Sequence, residues 1–159
     1  MAIAVFLISA VLLAGFAFSY YGKEQVNYFN PQEVAAGQWV YTHAPPGSRL
    51  VSVTSNWPYS YEHFDQYQYD WFALDPANVR RQIMQDPVDR LASIMFAGRP
   101  TAAFLVFSRG QTAEVAALGL LPPGAVNRIE RSLLASSHFR VAYENGSATV
   151  LTLASGSGM

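Results

Sequence analysis

One stretch of the chain, residues 55–72, carries most of the side chains whose types could bind a ligand. It reads SNWPYSYEHFDQYQYDWF, so aromatic rings alternate with carboxylates and a single histidine. Tyrosine and tryptophan offer flat apolar faces with polar edges, which suit the stacking of sugar rings or contact with a lipid interface. We therefore take as candidate ligand-binding residues six aromatic and acidic side chains of this stretch: Trp57, Tyr59, Tyr61, Glu62, Asp65 and Tyr67.

The same stretch has a structural interpretation. Aromatic side chains also dominate the packing of ordinary cores, so these rings could cover a sheet and fix a long loop. On that interpretation they lie buried beneath the helices expected over 76–97. Trp71 and Phe72 fit the buried interpretation better, whereas Tyr59 and Tyr61 fit exposure.

Two further candidates, Arg109 and Gln111, follow the run TAAFLVFS at 101–108. A continuous apolar run of this kind is typical of a central parallel strand buried on both faces. Open α/β sheets place ligands beyond the carboxyl ends of their strands, where the strand order reverses. We therefore expect Arg109 and Gln111 near such a site, although an arginine at a strand end is also commonly solvated or ion-paired.

The remaining composition predicts no cofactor, no metal site and no catalytic residue. The chain has no cysteine, which excludes disulfides, thiolate ligands and a cysteine nucleophile. His63 has no ligand spacing to His43 or His138, and Ser108 lacks the G-x-S-x-G surroundings of a hydrolase nucleophile. The net charge of −1 gives no basic footprint for nucleic acid.

Caps, prolines and turns predict the elements that position these residues. A cap residue followed by proline at Asn30-Pro31, Asp75-Pro76 and Asp86-Pro87 marks helix starts, and Asn145-Gly146 between apolar runs marks a hairpin. The predicted helices span 31–43, 76–84, 87–97, 111–118 and 125–135, and the predicted strands span 49–54, 101–108, 139–143 and 149–153. Their order predicts one small three-layer α/β domain over 22–153, with a mixed, mostly parallel sheet and a C-terminal β-hairpin, followed by a flexible tail at 154–159.

The first 21 residues, MAIAVFLISAVLLAGFAFSYY, predict a single transmembrane helix. They contain no charged side chain, and about twenty apolar residues are enough to cross a bilayer. A secretory signal peptide is the alternative, but the basic start and the clean cleavage site of such a peptide are missing. Lys23 is the only basic residue nearby, and it weakly favours a cytoplasmic C-terminal side.

Three segments carry a resemblance to a known family: YYGKEQVNYFNPQEVAAGQWVYTHAPPGSRLV, YSYEHFDQYQYDWF and FLVFSRGQTAEVAALGLLPPGAVNRIERSLLASSHFRVAYENGSATVLTL. Together they resemble the C-terminal part of bacterial polytopic membrane glycosyltransferases of the GT-C type. In that family the last transmembrane helix leads into an α/β domain outside the cytoplasm. The resemblance therefore implies a single-pass protein of the bacterial cell membrane, with its soluble domain on the extracytoplasmic side.

The resemblance also implies partners: the lipid bilayer, and either a polytopic glycosyltransferase core or an envelope glycan. Enzymes of that family use a lipid-linked sugar donor and a catalytic carboxylate on their first extracytoplasmic loop, which no residue here matches. We expect an accessory domain that holds a glycan acceptor or docks on the membrane-embedded part, without transferase activity of its own. The alternative is an anchored structural or protein-interaction module with no sugar role.

Overall fold

The computed structural model describes residues 2–21, 26, 28–59 and 62–154, with the side chains of 2–4 and 18–21 left aside. Within these residues the chain forms six α-helices and five strands. The helices are α1 (Ala2–Tyr21), α2 (Pro31–His43), α3 (Ala77–Gln85), α4 (Pro87–Phe96), α5 (Arg109–Leu118) and α6 (Ala125–Leu134). The strands are β1 (Arg49–Ser52), β2 (Gln68–Trp71), β3 (Ala103–Ser108), β4 (Phe139–Asn145) and β5 (Ala148–Leu153), and a 3₁₀ turn spans Phe72–Leu74.

The five strands form one mixed sheet in the order β2-β1-β3-β5-β4. Strand β1 runs parallel to both β2 and β3, and Val51 pairs with Asp70 on one side and Leu105 on the other. Strand β5 is antiparallel to β3 and forms the predicted hairpin with β4. The mixed α/β fold is thus confirmed, but the sheet has two parallel and two antiparallel ladders rather than being mostly parallel.

Helices cover both faces of the sheet because side chains alternate along each strand. On β3, Phe104 and Val106 face α2, where they join a core with Val40, Leu50, Trp57 and Val150. Leu105 and Phe107 point to the other face and pack with residues of α3, α4 and α6: Ile83, Leu91, Met95, Ile129 and Leu133. The result is the predicted three-layer arrangement, with β3 at its centre.

The start of α2 follows the local chemistry that its sequence predicts. The Asn30 side chain accepts a hydrogen bond from the Glu33 N–H at 2.8 Å, and the Glu33 carboxylate accepts one from the Asn30 N–H at 3.2 Å. This reciprocal pair is a capping box, and Pro31 occupies the first helical position. Asp86 caps α4 through a single hydrogen bond, accepting from the Asp89 N–H at 3.3 Å, and Pro87 again occupies the first helical position.

Three local predictions were wrong. Asp75 does not cap α3, because Pro76 occupies the cap position without a side-chain hydrogen bond and the helix begins at Ala77. Strand β2 lies inside the stretch that was interpreted as an aromatic loop. It was missed because the alternation of Tyr69 and Trp71 is hidden among the surrounding aromatic residues.

Helix α5 begins directly after β3, at Arg109, instead of at the predicted residue 111. The Ser108 side chain caps it by accepting from the Gln111 N–H at 3.3 Å, so no separate turn is needed.

Helix α1 has no charged side chain, and its described side chains, those of residues 5–17, are all exposed. Within the residues that the structure describes, no helix is both long enough and apolar enough to cross a membrane. The transmembrane helix therefore stays a prediction. Lys23, whose charge weakly favoured a cytoplasmic C-terminal side, lies outside the described residues, as do residues 155–159 of the predicted tail.

The central position of β3 gives a first test. Leu105 is completely buried, so Leu105→Ala should lower the free energy of unfolding by about 2–5 kcal/mol through lost burial and a residual cavity. The matched control is Leu118→Ala at an exposed position of α5, which should change it by under about 0.5 kcal/mol. Urea unfolding followed by tryptophan fluorescence measures both, and equal effects would contradict the placement of β3.

Candidate functional site

The carboxyl ends of β1 and β3 meet at the point where the strand order reverses. From β1 the chain first adds β2 on one side, and later returns to add β3 on the other. Such a point is the usual ligand site of open α/β sheets. The residues that follow these two strands include the predicted candidates Arg109 and Gln111.

A carboxylate of the chain itself occupies this point. Glu33 is 1% exposed, and its Oε1 accepts a hydrogen bond from the Gly110 N–H at 2.6 Å. Its Oε2 lies 3.4 Å from Nη2 of Arg109 and accepts from the Asn30 N–H. Because helix N-termini favour negative charge, Glu33 sits where the anionic group of a ligand would bind at the start of α5.

Arg109 and Gln111 are therefore bracing residues at this edge. Arg109 Nη2 donates to the backbone oxygen of Tyr28 at 2.8 Å as well as pairing with Glu33. Gln111 is fully buried, and its Nε2 donates to the backbone oxygen of Thr54 at 3.4 Å. The structure thus favours the ion-paired interpretation of the strand-end arginine.

The segment before α2 is fixed to the same edge by side-chain amides. Asn56 Nδ2 donates to the backbone oxygens of Val26 at 2.7 Å and Gly110 at 3.2 Å. Asn30 Nδ2 donates to Ser147 Oγ at 2.8 Å, in the turn between β4 and β5. These bonds tie together parts of the chain that are far apart in sequence.

Most of the described candidate aromatics form a packed layer against α2. The rings of Trp57 and Tyr41 stack with centroids 5.8 Å apart and planes within 3°. Trp57 is only 2% exposed, and the Tyr67 hydroxyl donates to the backbone oxygen of Ala44 at 3.0 Å. The structural interpretation placed these rings beneath 76–97, which is wrong for Trp57 and Tyr67, whereas Phe72 does lie in the core on that side.

Two tyrosine hydroxyls hold the loop that follows β1. Tyr41 donates to the backbone oxygen of Tyr59 at 2.5 Å, and Tyr69 donates to that of Glu62 at 2.8 Å. The two hydroxyl oxygens are themselves 2.9 Å apart. Burial raises the pKa of both Tyr41 and Tyr69 above the usual tyrosine range, so both remain protonated donors at physiological pH.

Above this layer, a cleft of about 470 Å³ opens beside the carboxyl end of β1. Three of the predicted candidates line it, and four other residues complete it: Trp57, Tyr59 and Glu62 with Phe29, Ser55, Asn56 and Glu114. We call this the aromatic cleft. Phe29 and Glu114 were missed because neither belongs to the aromatic stretch, and only the folded chain brings them beside it.

Tyr59 keeps its place at this cleft through an unusual backbone and a neighbouring glycine. Its φ is +64°, in the left-handed region, and its side chain is 38% exposed. A Cβ added to Gly37 would lie only 2.9 Å from Cδ2 of Tyr59, so the ring requires glycine on α2. Its hydroxyl accepts a hydrogen bond from Gln38 Nε2 at 3.2 Å. The expected exposure of Tyr59 is thus confirmed.

The other described candidates do not line the cleft. Asp65 is exposed elsewhere on the loop, Tyr67 belongs to the packed layer, and Tyr61 lies outside the described residues. No grouping of metal-ligating side chains occurs in the described part of the chain.

Comparison with known proteins supplies no relative for this site. No protein family model matches the chain, no curated protein is similar to it, and no solved structure matches its fold.

The buried carboxylate at the strand edge gives a second test. Glu33→Gln keeps the shape but removes the charge that receives the Gly110 and Asn30 N–H groups, so it should cost about 1.5–3 kcal/mol of unfolding free energy. Glu144→Gln, at an exposed position, is the control and should change it by under about 0.5 kcal/mol. Equal unfolding midpoints for the two variants in urea would mean that Glu33 does not hold this edge together.

Proposed function

We propose that this protein is a membrane-anchored, extracytoplasmic accessory domain that holds a glycan in the aromatic cleft. The observation that carries the proposal is the meeting of Trp57, Tyr59 and Phe29 with Glu62 and Glu114 around one opening. Ligand sites are typically concave and mostly apolar, with a few placed polar groups. This combination suits a sugar, whose ring has apolar faces and whose rim carries hydroxyls.

The walls of the cleft have separate tasks in this proposal. The exposed side of Tyr59 gives a flat face on which a sugar ring stacks, while the carboxylates accept hydrogen bonds from its hydroxyls. The tyrosine hydroxyls beneath the loop fix the backbone at Tyr59 and Glu62, so the cleft is held in shape before a ligand binds. A site fixed in this way loses less conformational entropy on binding.

Helix α1 is the proposed membrane anchor. It is a helix of 20 residues without a charged side chain, and its described residues carry large exposed apolar groups, including Phe6, Leu12 and Leu13. Water contact with such a surface is unfavourable, and lipid contact removes that cost. This supports a single-pass protein of the bacterial cell membrane.

The resemblance to the C-terminal part of GT-C glycosyltransferases supports the extracytoplasmic side and a role beside a polytopic enzyme. No catalytic role is assigned to this chain. The glycan would be an acceptor that the cleft presents to a membrane-embedded glycosyltransferase core.

A structural or protein-interaction module is the second candidate function, and two observations favour it. The usual ligand point of the sheet is filled by Glu33, and Trp57 and Tyr67 serve the packed layer. In that case the loop would shape a protein surface rather than bind sugar.

Glycan binding that depends on Tyr59, an exposed residue of the cleft wall, separates the two candidate functions. Tyr59→Ala should abolish detectable binding of oligosaccharides prepared from bacterial envelopes, measured on an array, and should shift the melting temperature by only a few degrees, about the effect of 1 kcal/mol. Phe64→Ala is the matched control, because Phe64 is an exposed aromatic of the same loop that does not line the cleft. Absence of binding by the parent chain, or equal loss in both variants, would favour the interaction module.

The anchor is tested separately. Deleting residues 1–21 should move the protein from the membrane fraction to the soluble fraction, because the apolar helix is then absent. Fractionation by ultracentrifugation measures this, with folding of the remaining domain checked by circular dichroism. A full chain found in the soluble fraction would contradict the anchor.

A further inference from the structure

The charges around the aromatic cleft point to one class of ligand. Two of its lining residues, Glu62 and Glu114, are carboxylates, and none of the described lining residues is a lysine, an arginine or a histidine. Among the described residues, Arg109 and His63 lie nearby but outside the lining. Arg109 is bound to Glu33 and to the backbone of Tyr28, and the exposed His63 has its Nε2 4.0 Å from Glu62 Oε1.

Two buried polar atoms of the lining residues also lack partners. Trp57 is 98% buried, and its Nε1 has no hydrogen-bond acceptor. Oε2 of Glu114 is likewise buried without a donor. A buried polar atom without a partner is costly, so each of these atoms favours a ligand that completes it. The cleft thus lacks a donor for a carboxylate and an acceptor for an indole N–H.

We propose that the aromatic cleft binds a sugar that carries a free, protonated amino group, and this rests on the glycan-binding function proposed above. An ammonium group donates charge-assisted hydrogen bonds to carboxylates such as those of Glu62 and Glu114. A hydroxyl on the neighbouring ring carbon accepts from the Trp57 indole, and the exposed face of Tyr59 attracts a cation as well as a ring. A 2-amino sugar offers these groups side by side.

The same chemistry predicts which sugars are rejected. Acetylation of the amine removes its charge and replaces two donors with a bulkier amide. A uronate or a phosphorylated sugar brings a negative charge against two carboxylates, and no described lining residue is a cation that would balance it. The cleft should therefore rank the sugars as free amine, then acetylated amine, then acid.

Three matched tetrasaccharides test this order. The probes are chitosan tetramer, the fully acetylated chitin tetramer and tetragalacturonate, titrated against the full chain in phosphatidylcholine nanodiscs. A pH of about 5.5 keeps the sugar amines protonated. We expect the chitosan tetramer to bind about tenfold more tightly than the chitin tetramer, with no detectable binding of the acid.

Variants assign the preference to the cleft. Glu62→Gln and Glu114→Gln should each lower the affinity for the chitosan tetramer about five- to tenfold while leaving that for the chitin tetramer nearly unchanged. The matched control is Asp65→Asn, which removes an exposed carboxylate of the same loop outside the cleft and should change neither. Melting temperatures measured on the same samples show whether each variant is folded, and Glu62→Gln alone suffices if Glu114→Gln unfolds.

The outcomes separate this inference from the function on which it rests. Equal affinity for the chitosan and chitin tetramers, with binding lost in Tyr59→Ala, would overturn the amino-sugar preference and leave glycan binding in place. Tightest binding of tetragalacturonate would do the same. Absence of binding by all three probes and by the envelope oligosaccharides would overturn both. A preference for chitosan that Asp65→Asn reduces as much as Glu62→Gln would reduce the effect to general surface charge.

Discussion

The buried carboxylate of Glu33 connects the parts of this fold that sequence distance separates. It closes the capping box of α2, receives the first turn of α5 through the Gly110 N–H, and pairs with Arg109. A charge so deeply buried is tolerated only when its oxygens are satisfied, and here both are. Helix α2 is thereby fixed over one face of the sheet, and with it the aromatic layer that Trp57 and Tyr41 form beneath the loop.

This constraint also decides where a ligand can bind. An open α/β sheet offers its strongest anion site at a helix N-terminus beside the reversal of strand order. Here that position is satisfied internally, so phosphate or carboxylate recognition at α5 is excluded without displacement of Glu33. The aromatic cleft lies to one side of this position, along the loop after β1. The cleft has the opposite charge from a helix N-terminus, because its lining carboxylates, Glu62 and Glu114, make it acidic.

Elements defined by local chemistry could be predicted from the sequence, whereas tertiary roles could not. Asn30 and Glu33 fix the start of α2 through neighbours three residues apart, so its bounds follow from the sequence. Strand β2 was missed because the alternation of Tyr69 and Trp71 is hidden among aromatics that belong to other parts of the fold. Three of the seven described lining residues of the cleft, Trp57, Tyr59 and Glu62, were predicted because they stand in one stretch. Glu114 reaches the site only through the docking of α5 against β3. The second partner of Glu33, Gly110, leaves no sequence signal at all.

The proposed function predicts that a glycan binds in the aromatic cleft and not elsewhere on the domain. The chain has three tryptophans, and each indole N–H gives its own signal in a two-dimensional ¹H–¹⁵N spectrum. Trp57 lines the cleft. Trp39 is on α2 and its ring stacks on Tyr143, and Trp71 is the last residue of the edge strand β2. Addition of chitosan tetramer should shift the Trp57 indole signal in a saturable manner and leave those of Trp39 and Trp71 in place. A Trp57 signal that does not move while another tryptophan signal shifts would contradict the account.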